Sequence, residues 1–207
     1  MLTDCPTPPE PSVDSRPRYA LIVRLPRLAE TQIADSYLWM PGITRPSMGY
    51  HITLLGPFVL GLDQDPAVFQ AVGDVCARRR PFGVQIAGLG AFDNEGVNTI
   101  YLGVVECDLV VPLHDALLQA LGERIDFPNE RYRRWNMEDY QPHVTLSLGL
   151  DERALTELLA INLRRRVVVE VMIESVWLVA QGPASSWQFL QQYPLTGQPE
   201  HPAPGTP

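Results

Sequence analysis

The sequence predicts an α+β fold of bilobal form: two pseudo-symmetric lobes whose antiparallel sheets face a central cleft, with helices on the outside. Three observations predict it. A short apolar run carrying His-x-Thr occurs twice, at His51-Ile52-Thr53-Leu54 and at His143-Val144-Thr145-Leu146. Each run has the β-branched, alternating character of a strand and is followed by a helix-like stretch. The order of elements is strand, helix, motif strand, helix, strands, helix, motif strand, helix, strands, so both halves share one motif-strand-then-helix unit. At 207 residues the chain suits one domain or two small lobes sharing a core.

Residues 1–17 hold five prolines and few apolar side chains, the composition of a flexible leader. Order is expected from residue 18 to residue 195, and a proline-rich disordered tail over 196–207. The first strand is Tyr19–Leu25, closed by Pro26. A mixed helical pattern over 27–40 (Leu28, Ile33, Leu38) stops at Pro41-Gly42. The first motif strand runs over about 49–55 and ends at Gly56-Pro57. Asp65-Pro66 reads as an N-cap with proline at the first helical position, followed by the stripe Val68, Phe69, Val72, Val75 and Cys76. Arg78-Arg79-Arg80 closes that helix, where positive charge suits the C-terminal dipole.

Two strands near 82–92 and 98–105 join through Asp93-Asn94-Glu95-Gly96. The helix over 109–123 buries Leu113, Leu117 and Leu121; His114 lies on it with no Thr partner and is left out of the site. Residues 124–142 show no clear periodicity and read as a long loop holding Arg131, Arg133, Arg134, Trp135 and Tyr140. Such a loop leading into His143 fits phosphate gripping by arginine and base stacking by aromatics. It fits a solvated charged loop with one buried Trp equally well. After the second motif, Asp151 caps a helix over 152–164 closed by Arg164-Arg165-Arg166, and strands follow near 167–171, 174–180 and 187–192.

Composition narrows the function. Hydrophobic content of 45% and charged content of 19% are those of a globular protein. A formal net charge of −8 argues against extended duplex-DNA binding, which needs many phosphate contacts. A small anionic substrate remains open to a locally basic cleft. All sixteen basic residues are Arg, which excludes lysine-based chemistry. Cys5, Cys76 and Cys107 are odd in number and lack metal-like spacing, which points to reduced thiols and a cytoplasmic location. No apolar run approaches membrane-spanning length, and the first residues lack a signal-peptide core.

The motif strands carry the chemistry. Alternation sends His51 and Thr53 to one face and Ile52 and Leu54 to the other. The second run repeats this, with His143, Thr145 and Ser147 opposed to Val144, Leu146 and Leu148. Two of the four histidines share one frame, whereas a lone strand His is most often structural. Two such strands side by side would converge two imidazoles and two hydroxyls on one anion. Imidazoles near neutrality can hold opposite protonation states at one pH, as acid–base catalysis requires. A metal centre on His51 and His143 is disfavoured, because no carboxylate or Cys accompanies either motif at ligand spacing.

The runs HITLLGPF at 51–58 and YQPHVTLSL at 140–148 lie 92 positions apart from His51 to His143 (143 − 51). With the strand ending Leu25-Pro26 and the segment PFGVQIAGLGAF at 81–92, they make residues 18–195 resemble the 2H phosphoesterases. The resemblance is closest to their 2′-5′ RNA ligase-like, cyclic phosphodiesterase branch. It implies a bilobal fold, no metal or other cofactor, and activity on 2′,3′-cyclic phosphates of nucleotides or RNA ends, giving 2′-phosphates. It also implies His143 as base, His51 as acid, and Thr53 and Thr145 on phosphate oxygens; Arg134 and Tyr140 are expected as substrate contacts from the loop's own residues, not from the resemblance. Partners are then a nucleotide or RNA-terminal phosphate, with no membrane and a monomeric chain. Action on 2′-5′ linkages, or nucleotide or RNA binding without chemistry, are the alternatives.

Overall fold

The computed structural model describes residues 16–40, 42–61, 65–94, 97–105, 107–150, 153, 155–157, 160, 167–182 and 186–197. The leader before residue 16, the tail beyond residue 197 and Arg164-Arg165-Arg166 lie outside these, as do Cys5 and Asp151.

The apolar runs form strands as their alternation requires. They are β1 (Arg18–Arg24), β2 (His51–Leu60), β3 (Phe82–Asn94), β4 (Val97–Val104), β5 (Ile125–Asp126), β6 (His143–Leu150), β7 (Val168–Ile173), β8 (Ser175–Gln181) and β9 (Trp187–Pro194). Among the described residues these nine make one curled antiparallel sheet in the order β7-β3-β4-β6-β2-β1-β8-β9, with β5 on β2. The two lobes are therefore two four-strand halves of a single sheet. Each half places its motif strand at the seam, where Ile52 of β2 pairs with Val144 of β6.

Helices α1 (Arg27–Tyr37), α2 (Pro66–Ala77) and α3 (Val110–Leu121) cover one face. Their buried Ile33, Val72 and Leu117 share one core with Ile52, Leu54, Val144 and Leu146. Asp65 caps α2 as expected, its side chain accepting from Ala67 N at 2.9 Å with Pro66 following. The described residues of the 152–164 stretch (153, 155–157 and 160) are helical. None of the described helices is long and apolar enough to cross a membrane. At the C-terminal end, Thr196 Oγ1 donates to Ala77 O at 3.0 Å and Gly197 N to Arg79 O at 2.9 Å, so the described chain stays docked on the end of α2 two residues past Leu195.

Three local expectations are corrected. The first motif strand does not stop at Gly56-Pro57 but runs through a cis Gly56–Pro57 peptide to Leu60. Proline usually ends a central strand because it cannot donate to the ladder. Here the ladder is interrupted, and the side chain of Asn136 stands in for the missing strand. Its Oδ1 accepts from Gly56 N at 2.8 Å, and its Nδ2 donates to Gly56 O at 3.3 Å. Gly56 has φ +123°, and a Cβ there would sit 2.9 Å from Ala20 Cα, so both conformation and space demand glycine.

The second correction is the 124–142 segment. It holds β5 and a helix, α4 (Glu130–Met137), capped by Asn129, whose Oδ1 accepts from Tyr132 N at 3.1 Å. The third is Leu148, 70% exposed, while Ser147 is buried and donates to Gly42 O at 2.7 Å. Tyr101 partners Thr145 whereas Ile100 partners Ser147, which leaves Leu146 an extra residue. This bulge shifts the phase of alternation. The first motif has the same device: Ile22 partners Thr53 and Leu21 partners Leu55, with Leu54 extra. Each motif strand thus bends one residue past its threonine, at the same place in both halves.

Candidate active site

Strand alternation survives up to each bulge, and it sets the site. Ile52, Leu54, Val144 and Leu146 are buried beneath the sheet, whereas His51, Thr53, His143 and Thr145 are only half-covered on the opposite face. The Ile52–Val144 pairing, carried one residue each way along antiparallel strands, brings His51 opposite Thr145 and Thr53 opposite His143. The structure therefore gathers all four motif side chains on one patch of the face opposite the helices.

The two rings are held alike. His51 Nδ1 donates to Gly49 O at 2.9 Å, and His143 Nδ1 donates to Gln141 O at 2.8 Å, each two residues upstream. A carbonyl only accepts, so Nδ1 carries the proton in both neutral rings and Nε2 keeps a free lone pair. Burial lowers both imidazoles below their ordinary 6.5 by penalising the charged form, against the opposing pull of each carbonyl bond. Beyond that, the Glu30 carboxylate raises His51, while repulsion from His51 lowers His143. Both of these smaller influences act toward keeping a proton on His51 in preference to His143.

Aromatic rings wall the His143 side. Phe92 lies 5.1 Å from that imidazole and Tyr101 5.2 Å, and these two stack on each other at 4.2 Å. Trp135 of α4 approaches edge-on at 6.1 Å. Tyr140 is more deeply placed: its hydroxyl donates to Thr53 O at 3.1 Å, and its ring stacks on His114 at 3.7 Å. Burial raises the Tyr140 hydroxyl far above its ordinary range, which keeps it a donor. Arg134 is two-thirds exposed, with Nε 2.9 Å from Asp139 Oδ2 and 3.9 Å from Glu138 Oε2.

Two groups of residues around the site escaped sequence reasoning. Behind Tyr140, His114 spans Leu54 O at 2.6 Å and Asn136 O at 2.9 Å, tying α4 to the first motif strand. Beside His51, the buried Glu30 holds Arg45 at 2.9 Å and lies 4.0 Å from Arg24. Arg24 is the Cα partner of His51 across β1 and β2, so the two side chains emerge together. A Cβ on Gly49 would collide with Glu30 Oε1, which is why the residue whose carbonyl holds His51 is glycine, at φ +76°. These contacts lie far apart in sequence and leave no local signal, although Asn129-Glu130 is a readable helix start. Among the described residues no group of three or more His, Cys, Asp or Glu side chains is placed to hold a metal ion.

Known proteins share this fold. No curated protein matches the chain in sequence. The crystal structure of TT0787 of Thermus thermophilus is similar with a TM-score of 0.60 at 23% identity, over 87% of this chain and 99% of that one. E. coli LigT complexed with 3′-AMP is similar with a TM-score of 0.60 at 18% identity, over 88% and 99%. The same protein complexed with phosphate gives 0.57 at 18%, over 88% and 99%. At these identities the likeness is one of fold. The family model described as the 2′-5′ RNA ligase superfamily matches residues 45–183, which includes both His-x-Thr motifs. The chain belongs to the 2′-5′ RNA ligase superfamily, the 2H phosphoesterases, and membership supports a phosphodiesterase-type role.

Proposed function

We propose that the protein is a metal-independent phosphodiesterase that opens 2′,3′-cyclic phosphates of nucleotides or RNA ends to 2′-phosphates by two-histidine acid–base catalysis. The observation that carries this reading is the matched pair of Nδ1-to-carbonyl bonds on two rings that share one face of the sheet, which supports Nε2 as the working nitrogen of each. His143 Nε2 takes a proton from water as its oxygen attacks phosphorus. His51 Nε2, protonated, delivers its proton to the departing 3′ oxygen as the P–O3′ bond breaks. The Glu30 carboxylate and the repulsion between the rings favour this division over its reverse. The phosphate supplies the missing proton balance, since an anion between two imidazoles stabilises the charged form of one of them. Thr53 and Thr145 hydroxyls donate to the oxygens on which charge develops. Tyr140 serves through Thr53, whose carbonyl it binds, and through its ring beside Trp135. Arg134 would reach substrate only by leaving Asp139.

The test is a substrate panel of 2′,3′-cyclic nucleotides, cyclic-phosphate RNA ends and 2′-5′-linked dinucleotides, with and without chelator, over a range of pH. The expected result is chelator-insensitive opening of the cyclic substrates to 2′-phosphates. kcat/KM should follow a bell whose two limbs both fall below about 6.5, the ordinary imidazole value that burial lowers in both rings. Below the first limb the base is protonated and idle, and above the second the acid has lost its proton. Loss of activity on chelation, or a rate rising steadily with pH, would reject the mechanism. Turnover confined to 2′-5′ linkages would reassign the substrate.

A further inference from the structure

We propose that His114 is a positioning residue for the reaction: holding a proton on each ring nitrogen, it clasps the C-terminal end of α4 to the first motif strand and so fixes the wall beside His143. The inference rests on the phosphodiesterase reading above for the activity that is measured. It adds a buried group, outside the site itself, that sets the site's geometry.

The open side of β2 shows why a clasp is needed. Strand β6 pairs with β2 at Ile52–Val144, and β5 pairs with it at Val59 and Leu60. Between these points side chains take backbone groups that strand pairing would otherwise take. The Tyr140 hydroxyl donates to Thr53 O at 3.1 Å, His114 Nδ1 donates to Leu54 O at 2.6 Å, and Asn136 bonds both peptide groups of Gly56. Leu54 is the bulged residue, without a Cα partner on β1. From α3, the other nitrogen of His114 donates to Asn136 O at 2.9 Å, near the end of α4.

These two acceptors decide the state of the ring. A carbonyl oxygen has no proton to give, so a neutral imidazole would satisfy one of them and set a lone pair against the other. His114 is 2% exposed, so water does not make up that loss. The imidazolium alone makes both bonds. Its surroundings favour the charge. Asn136 O is among the last carbonyls of α4, at the negative end of the helix dipole. The Tyr140 ring lies flat against the imidazole at 3.7 Å and 6°, presenting its electron-rich face. The Asp115 carboxylate stands 3.9 Å from Nε2. Strand β2 and helix α4 meet the ring through the uncharged Leu54 and Asn136. Burial keeps the Tyr140 hydroxyl protonated and pushes up the Cys107 thiol that lies before α3. From the end of α2, Arg79 reaches α3 at Pro112 O, about half a helical turn round from His114.

The clasp reaches the chemistry through two neighbours. Trp135 precedes Asn136 on α4 and stands edge-on to Tyr140 at 5.5 Å and to His143 at 6.1 Å. Tyr140, stacked on His114, holds the carbonyl of Thr53. Removing one proton from His114 breaks one of its two bonds, which frees the end of α4 from β2 and lets Trp135 and Tyr140 shift against His143 and Thr53.

The test begins with nitrogen-15 NMR of the native protein at a pH where His51 and His143 are neutral, where both His114 nitrogens should be protonated. As the pH is raised until that ring loses a proton, the Trp135 indole and His143 ring signals should move with the same midpoint. His114→Phe keeps a flat ring against Tyr140 but neither donor. It should shift the His143 signals and lower kcat on a 2′,3′-cyclic nucleotide by about 10-fold, since a displacement of about 1 Å arising far from the chemistry costs up to about 10². His114→Gln, which keeps a donor, should recover part of that loss. Circular dichroism checks that the variants are folded, and the native titration decides should they unfold. One unprotonated His114 nitrogen at the starting pH, Trp135 and His143 signals indifferent to its proton, or a folded His114→Phe with native kcat would each overturn the clasp while leaving the phosphodiesterase reading intact. Absence of turnover by the native protein would overturn that reading and, with it, the role of His114 in the reaction.

Discussion

His51→Ala and His143→Ala should each lower kcat on a 2′,3′-cyclic substrate by at least about 10²-fold, the ordinary contribution of a positioned acid or base. The two substitutions should not multiply: the double variant is expected to lose little more than the worse single, because one proton must be taken and another given in the same passage. KM should change far less than kcat, since the hydroxyls of Thr53 and Thr145 remain to hold the phosphate. Stability should hardly move. Both rings are only partly covered, and each makes one bond to a loop carbonyl just before its strand, so its loss removes one hydrogen bond and no packing core. A variant that kept near-native kcat would remove that histidine from the chemistry.

Asn136→Ala is expected to destabilise the fold by about 2–4 kcal/mol, because it orphans groups that no water reaches. The Asn136 side chain is completely buried and bonds Gly56 N at 2.8 Å, Gly56 O at 3.3 Å and Tyr132 O at 2.7 Å. It satisfies both peptide groups of Gly56, in the stretch of β2 where strand pairing is interrupted. Its backbone carbonyl also accepts from His114, so the same residue anchors α4, which carries Trp135 against His143. Urea denaturation of the native and variant proteins measures the loss. Asn136→Asp should not rescue it, since a carboxylate retains the acceptor but buries a charge and removes the donor. A loss below about 1 kcal/mol would show that the Gly56 peptide finds other partners.

Much of this architecture is legible from residues close together in the chain. Asp65-Pro66 announces α2, and the alternation of apolar and polar residues around His51 and His143 announces the strands and the face they present. The fold class follows from repetition of that unit. The departures share a cause: in each, a partner distant in sequence overrides a local rule. Gly56-Pro57 ends a strand by local chemistry, but Asn136, 80 residues on, supplies the bonds that let it continue. Helix α4 has no apolar stripe because its one buried residue is that same Asn136, so periodicity could not reveal it. Leu148 follows the alternation of its strand until a bulge at Leu146, set by pairing with β4, turns it outward. The candidate site divides in the same way. Its histidines and threonines sit in one short frame, while Glu30, Arg24 and Arg45 are gathered around His51 by the fold alone.

The central claim is that His51 and His143 turn the same ring nitrogen toward one phosphate. Nitrogen-15 NMR of the imidazoles, recorded while inorganic phosphate is titrated into the native protein, tests it most directly. Both neutral rings should show protonated Nδ1 and unprotonated Nε2, and both Nε2 signals should shift together with one apparent affinity. A neutral ring protonated at Nε2 in place of Nδ1, or a response confined to one histidine, would contradict it.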